Sequence, residues 1–149
     1  MKILIATDGS KNASKAVDYG VRVAAKMGAG VVGVYVINMK SLELFAIGHH
    51  DSITGYEEEN AKHRREGEEA LEYLAGKCRQ AGVECSTAIV RGYPAEEIVK
   101  IAENEKPAMI VVGSLGKSNV AHMLMGSVSE SVVRKAPFPV LVVRGDTQL

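Results

Sequence analysis

The chain has 149 residues, 46% hydrophobic and 24% charged, the proportions of a soluble globular protein with a core of its own. Lys plus Arg and Asp plus Glu both number 18, so the balanced charge carries no electrostatic footprint for nucleic acid or an anionic membrane. No apolar run approaches the roughly 20 residues that span a bilayer, and the apolar part of MKILIATDGS is too short for a signal peptide; one cytoplasmic domain over residues 1–149 is expected.

In chain order, KILIAT (2–7) predicts a short buried strand. Ala13, Ala16, Val17, Val21, Ala24 and Met27 then recur at helical spacing. Ser10 or Asp8 is placed to cap that helix, and Gly28 or Gly30 to end it. VVGVYVI (31–37) predicts a second strand. Residues 38–55, with His49, His50 and Gly55, have no clear period and predict a long loop, or a loop with a short helix. Tyr56 to Ala81 is charged and helical. Leu71, Leu74 and Cys78 form its apolar face, while Glu57, Glu58, Glu59, Arg64 and Arg65 form a solvated one, and Gly82 stops it. VECSTAIV (83–90) alternates like a strand. Residues 94–105 predict a helix with Pro94 near its first position and acidic residues in its first turn.

AMIVVG (108–113) predicts a buried strand, SVSESVVRKA (127–136) a short helix with Val128, Val132 and Val133 facing inward, and FPVLVV (138–143) a last strand. Cys78 and Cys85 have no metal-type spacing and are expected as free thiols, small core side chains in a reducing compartment. Strict alternation of strand and helix with apolar strands predicts a parallel sheet covered by helices on both faces. Ligands of such sheets bind beyond the carboxyl ends of the strands, where strand order reverses. The loops after strands one, two and four are therefore the candidates.

Two glycine patterns mislead. Gly28, Gly30 and Gly33 spell GxGxxG, but a dinucleotide fingerprint follows a strand and opens a helix. Here the pattern closes a helix and enters a strand, as a helix cap and close packing would. GKS at 116–118 would need glycine at 111 to complete a P-loop, and that position is Val111. The stretch GSLGKSNVAHMLMGS (113–127) nevertheless has its own logic. Gly113 ends a strand, and Gly116 follows. Gly126 and Ser127 open a helix. Bare main chain lets phosphates approach N–H groups, a helix start suits anions, and Ser127 and Ser129 add hydroxyls. A plain turn with a capped helix explains the same residues, and local chemistry leaves both readings open.

At this point the chain resembles the universal stress protein family. Gly113, Gly116, Gly126 and Ser127 match that family's G-x2-G-x9-G-[S/T] signature, and ILIATDGS, RGYPAEEIVKIAENEKPAMIVVGS and SVSESVVRKAPFPVLVVR are similar to family segments over nearly the whole chain. The resemblance implies a single open five-stranded parallel sheet of order 3-2-1-4-5, Rossmann-like and similar to the adenine nucleotide alpha hydrolases. It implies ATP in the cleft and a homodimer. Carried over by position, Ala6, Thr7 and Val36 would line the adenine pocket. Asp8 would lie near ribose and a divalent metal, Mg2+ or Mn2+, although a helix cap is an equal alternative for it. Gly113, Leu115, Gly116, Gly126, Ser127, Val128 and Ser129 would complete the nucleotide site. Leu115 and Lys117 depart from the His and basic residues often found between the first two glycines: Leu115 cannot donate from its side chain, and Lys117 either meets the phosphates or points to water.

Weaker candidates are His49, His50 and Asp51 as metal ligands, His122 near phosphate, and HMLM (122–125) as a lid or partner-facing patch. Pro137 and Pro139 bracket the start of the last strand, which suggests an edge. VLVV is long and apolar for one, which suggests pairing with a second copy through residues 138–144. Three functions follow: a regulatory module holding ATP and metal, a slow ATPase or nucleotidyl transferase, and a dimeric interaction protein with an empty cleft. Asp8 and His122 are the only candidate bases, neither with an orienting partner, so fast hydrolysis is not expected.

Overall fold

The computed structural model describes residues 1–48, 53–115 and 125–145. Its elements are β1 (Lys2–Ala6), α1 (Lys11–Met27), β2 (Gly30–Asn38), α2 (Met39–Gly48), α3 (Ile53–Ala81), β3 (Cys85–Gly92), α4 (Pro94–Glu105), β4 (Met109–Gly113), α5 (Ser127–Lys135) and β5 (Val140–Val143). All pairings are parallel, in the order β3-β2-β1-β4-β5. The sheet order is the one the resemblance implies, and it leaves β5 at an edge. Among the described residues no helix is long and apolar enough to cross a membrane.

The alternation of strand side chains divides the core in two. Ile3 and Ile5 of β1 face one way with Val31, Val111 and Val143, and are covered by Ala16, Val17 and Val21 of α1 and by Leu74 and Cys78 of α3. Leu4 faces the other way with Val32, Val34, Ile110 and Val112, under Ile98 and Ala102 of α4 and Val132 of α5. Because both faces of the strands are buried, they read as continuous apolar runs. Leu74 and Cys78 sit on the expected apolar face of α3, both fully buried. Burial first, then the neighbouring Cys85 thiol, pushes the Cys78 thiol up to about 12.

The glycines after α1 are structural. Gly28 is the left-handed C-cap at φ 66°, with its N–H directed to Ala24 and Ala25 carbonyls. A Cβ on Gly33 would meet the Leu74 side chain at 2.8 Å, so this glycine allows α3 to lie close to β2. At the other end of α1, Ser10 is the N-cap, its Oγ accepting the Ala13 N–H at 3.2 Å.

Two expectations need correction. Of the two readings of residues 38–55, the long loop gives way to the one with a short helix: α2 covers Met39–Gly48, and α3 begins at Ile53, before the expected Tyr56. The Asn38 side chain accepts the Lys40 N–H at 3.0 Å, turning β2 into α2. Leu42 anchors α2 in a third cluster with Tyr35, Ile37 and Leu71. Leu44 and Ile47 are exposed, so the apolar residues of α2 do not all face the core and the sequence shows no single period. In α5, only Val132 of the three valines faces inward. Val128 and Val133 are exposed by 37% and 45%, because Ser129 and Val132 share the buried face of this short helix.

Candidate functional site

β1 and β4 are neighbours whose connections run to opposite sides, β1 through α1 to β2 and β4 through α5 to β5. This is the reversal point of the sheet, and a cavity of about 370 Å³ opens there. Its size suits a small-molecule ligand. The first wall is the end of β1. The Thr7 N–H donates to the Val34 carbonyl at 2.9 Å, holding the chain against β2. Thr7 Oγ1 then accepts the Gly9 N–H at 3.2 Å, and Asp8 Oδ1 accepts the Ser10 N–H at 2.9 Å. Two side-chain-closed turns thus lead into α1, with Gly9 at φ 78° in the left-handed region that glycine adopts without strain. Ser10 caps the helix, and Asp8 shapes the turn before it.

The second wall is the end of β2, where half-buried Val36 and Asn38 line the cavity. The third is the passage from β4 to α5. Gly126 is the N-cap of α5 at φ −76°, ψ 166°, and no side chain caps the helix. Gly126 itself has no side chain to accept the first-turn N–H groups, and a helix N-terminus carries partial positive charge. Gly126 adopts extended backbone open to any residue and is buried. At Gly113 a Cβ would lie 3.3 Å from the Asn12 carbonyl oxygen, so this glycine also allows α1 to approach β4.

Ala6, Thr7, Asp8, Val36, Gly113, Leu115, Gly126, Ser127, Val128 and Ser129 all border this one cavity. Ser127 is exposed to it. Ser129 is only 4% exposed, and its hydroxyl is directed to the Ser114 and Gly126 carbonyls at 3.1 and 3.0 Å. Gly116, Lys117, His122 and the 122–124 part of HMLM lie outside the described residues, as do His49, His50 and Asp51. Among the described residues, no three or more His, Cys, Asp or Glu cluster as metal ligands would.

Sequence reasoning missed the fourth wall. His63 of α3 lines the cavity, its Nε2 3.2 Å from Glu59 Oε1 and its Nδ1 3.8 Å from Glu66 Oε2. The charged first half of α3 masks it. A signal exists: His63 lies four residues before Gly67, and Gly67, Leu71, Leu74 and Cys78 continue the same inward stripe at helical spacing. A Cβ on Gly67 would meet the Tyr35 ring at 2.7 Å, so α3 crosses close to the end of β2 and carries His63 over the cleft. A polar hollow between α1 and α3 shares Thr7, Asp8 and His63 with the cavity. At its border Tyr73 donates to Asp18 at 2.6 Å. Burial and this bond push the phenol up to about 12.

Known proteins share this architecture. The model of the universal stress protein family matches residues 1–144. Universal stress protein MJ0531 of Methanocaldococcus jannaschii is 36% identical over 144 residues, 96% of this chain and 81% of that protein. The solved structure of MJ0577 from the same organism superposes with a TM-score of 0.81 at 32% identity, covering 99% of this chain and 97% of the other. The Archaeoglobus fulgidus universal stress protein, solved in complex with dAMP, has the same fold at 22% identity and a TM-score of 0.68, over 95% of this chain and 96% of that one. From its first strand to just past its last, the chain belongs to the universal stress protein family.

Proposed function

We propose that residues 1–149 form a single cytoplasmic domain that binds ATP with Mg2+ or Mn2+ and acts as a regulatory module in a stress response. The observation that carries this reading is the junction of an uncapped helix start, α5, with the ends of β1, β2 and β4 around one cavity of about 370 Å³. The cavity is apolar on its β2 side and offers main-chain donors on its α5 side. Ala6, Thr7 and Val36 would hold the base, and Asp8 the ribose side. Gly113, Leu115, Gly126, Ser127 and Val128 would surround the phosphates together with Gly116. The described cavity wall has no Lys or Arg, so in this reading helix N–H groups and a metal offset the phosphate charge. The donor set fits such a metal: Asp8 is one carboxylate at the cavity, and Mg2+ is ordinarily held by one or two carboxylates plus phosphate oxygens. Bound there, it would neutralise phosphate charge. The dAMP complex of a relative with this fold supports an adenine nucleotide as the ligand class.

The direct experiment is to denature purified protein and identify any nucleotide released. Intact ATP is the expected result. No released nucleotide, together with no calorimetric heat on adding ATP and Mg2+, would leave the dimeric interaction protein instead.

One observation favours a second reading, slow hydrolysis or nucleotidyl transfer. His63 borders the cavity and is oriented by Glu59, the arrangement of a general base. Released ADP with measurable turnover, reduced in His63→Ala, would establish it.

The same proposal includes a homodimer. Among the described residues β5 pairs with β4 alone, and its apolar residues Val140, Leu141 and Val142 are partly exposed. Such an edge pairs readily with another strand, here a second copy through residues 138–144. Light scattering at micromolar concentration should give twice the 15.9 kDa chain mass; a monomer mass overturns this part.

A further inference from the structure

We propose that Ser129 is a positioning residue for the phosphate end of the cavity, a buried latch that holds the start of α5 against the end of β4. This rests on the nucleotide reading of the cavity. The geometry is a closed knot. The Ser114 N–H donates to the Val143 carbonyl at 2.9 Å, fixing the exit from β4 against β5. The Ser114 carbonyl accepts the Gly126 N–H and lies 3.1 Å from Ser129 Oγ. The same Oγ lies 3.0 Å from the Gly126 carbonyl, which also accepts the Glu130 N–H at 3.0 Å in the first bond of α5.

A serine hydroxyl has one proton. With two carbonyls facing it and 4% exposure, that proton is shared inside the knot and none remains for a phosphate oxygen. Ser129 therefore shapes the site without donating to the ligand, unlike exposed Ser127. The consequence is a neck in which the start of α5 is set against the end of β4. Without the neck, bound phosphates would have to hold the start of α5 in place themselves, and that conformational cost would appear as lost affinity.

The test compares ATP–Mg2+ with adenosine, which has no phosphates, by calorimetry on the whole protein. Ser129→Ala should bind ATP about tenfold more weakly, the loss of roughly one good hydrogen bond, with adenosine binding unchanged. The Gly126 amide should exchange with solvent about tenfold faster, because its bond to Ser114 opens more often. Ser129→Thr, which keeps the hydroxyl, should restore both. If the alanine variant does not fold, Ser129→Cys fills the same space with a weak donor and repeats the comparison. ATP affinity and Gly126 protection equal to wild type would overturn the latch. So would equal weakening of ATP and adenosine, which marks general loss of structure. A wild-type protein that binds neither ligand would overturn the nucleotide reading and this role with it, while amide exchange still reports on the neck.

Discussion

Opposite walls of the cleft are built from different material. Between β4 and α5 the wall is largely main chain: Gly113, the Ser114 carbonyl, Gly126 and the start of a helix without a side-chain cap. Across from it, α3 contributes a side chain, His63, oriented by Glu59 and carried into place by the close crossing of Gly67 over Tyr35. A main-chain wall needs small residues at fixed spacing, and that leaves a pattern in the sequence. A side-chain wall needs only that a helix cross at the right height. The residues that set the height lie turns away from the one that reaches the cavity.

Substitutions at the two walls should therefore fail differently. The largest effect is expected from Gly126→Val. Its backbone, φ −76° and ψ 166°, suits a β-branched residue, so the fold should survive. The side chain would occupy space at the helix start, and ATP affinity should fall at least about a hundredfold, close to 3 kcal/mol. Gly113→Val should lose ATP as well, but with a lower melting temperature, since its Cβ already meets the Asn12 carbonyl at 3.3 Å. Calorimetry with thermal denaturation separates the cases. Normal ATP binding in both variants would remove the phosphate site from this end of the cleft.

Next in size is Gly67→Ala on the opposite wall. The new Cβ would lie 2.7 Å from the Tyr35 ring. Tyr35 is only 2% exposed, so an overpacking cost of about 1–3 kcal/mol is expected. ATP affinity should change less than in Gly126→Val, because the main-chain wall is untouched. Chemical denaturation measures the first effect. A melting temperature equal to wild type would show that the crossing of α3 is looser than its geometry indicates.

The same contrast explains what could be read in advance. The five strands were visible as apolar runs because the sheet is covered on both faces, and their order came with the family resemblance. The β4–α5 wall was visible through Gly113, Gly126 and Ser127. The α2 helix was not, because Leu42 faces the core while Leu44 and Ile47 face solvent, which blurs any helical period. His63 was hidden among charges that do face water, as Glu57 and Glu58 do. Ser129 reads as a ligand donor on its residue type, and the Ser114 and Gly126 carbonyls that stand 3.1 and 3.0 Å from its hydroxyl leave no mark in the sequence. Burial patterns record which face of an element is dry; they do not record which acceptor a polar group has found.

The smallest effect concerns how α3 is fastened to α1 behind its wall. Tyr73 donates to Asp18 at 2.6 Å. Lys77 Nζ stands 5.4 Å from the centre of the Tyr73 ring and 3.8 Å from Asp18 Oδ1. Tyr73→Phe removes the hydroxyl and keeps the ring under the ammonium group, so it isolates the hydrogen bond. The site is 39% exposed, and solvent screening limits the loss to below about 1 kcal/mol. The pH dependence gives the sharper signature. In the folded protein the phenol is raised from 10.0 to about 12, so folding favours its neutral, donating form. The stabilisation is complete below pH 10, declines as pH rises toward 12, and is gone above it. Wild type should therefore lose its advantage over Tyr73→Phe across that alkaline window, measured as the difference in denaturation midpoint. A difference that stays constant from pH 9 to about 12 would mean that the Asp18 bond does not hold the phenol proton, and that α3 is fixed to α1 by packing and the Lys77–Asp18 pair.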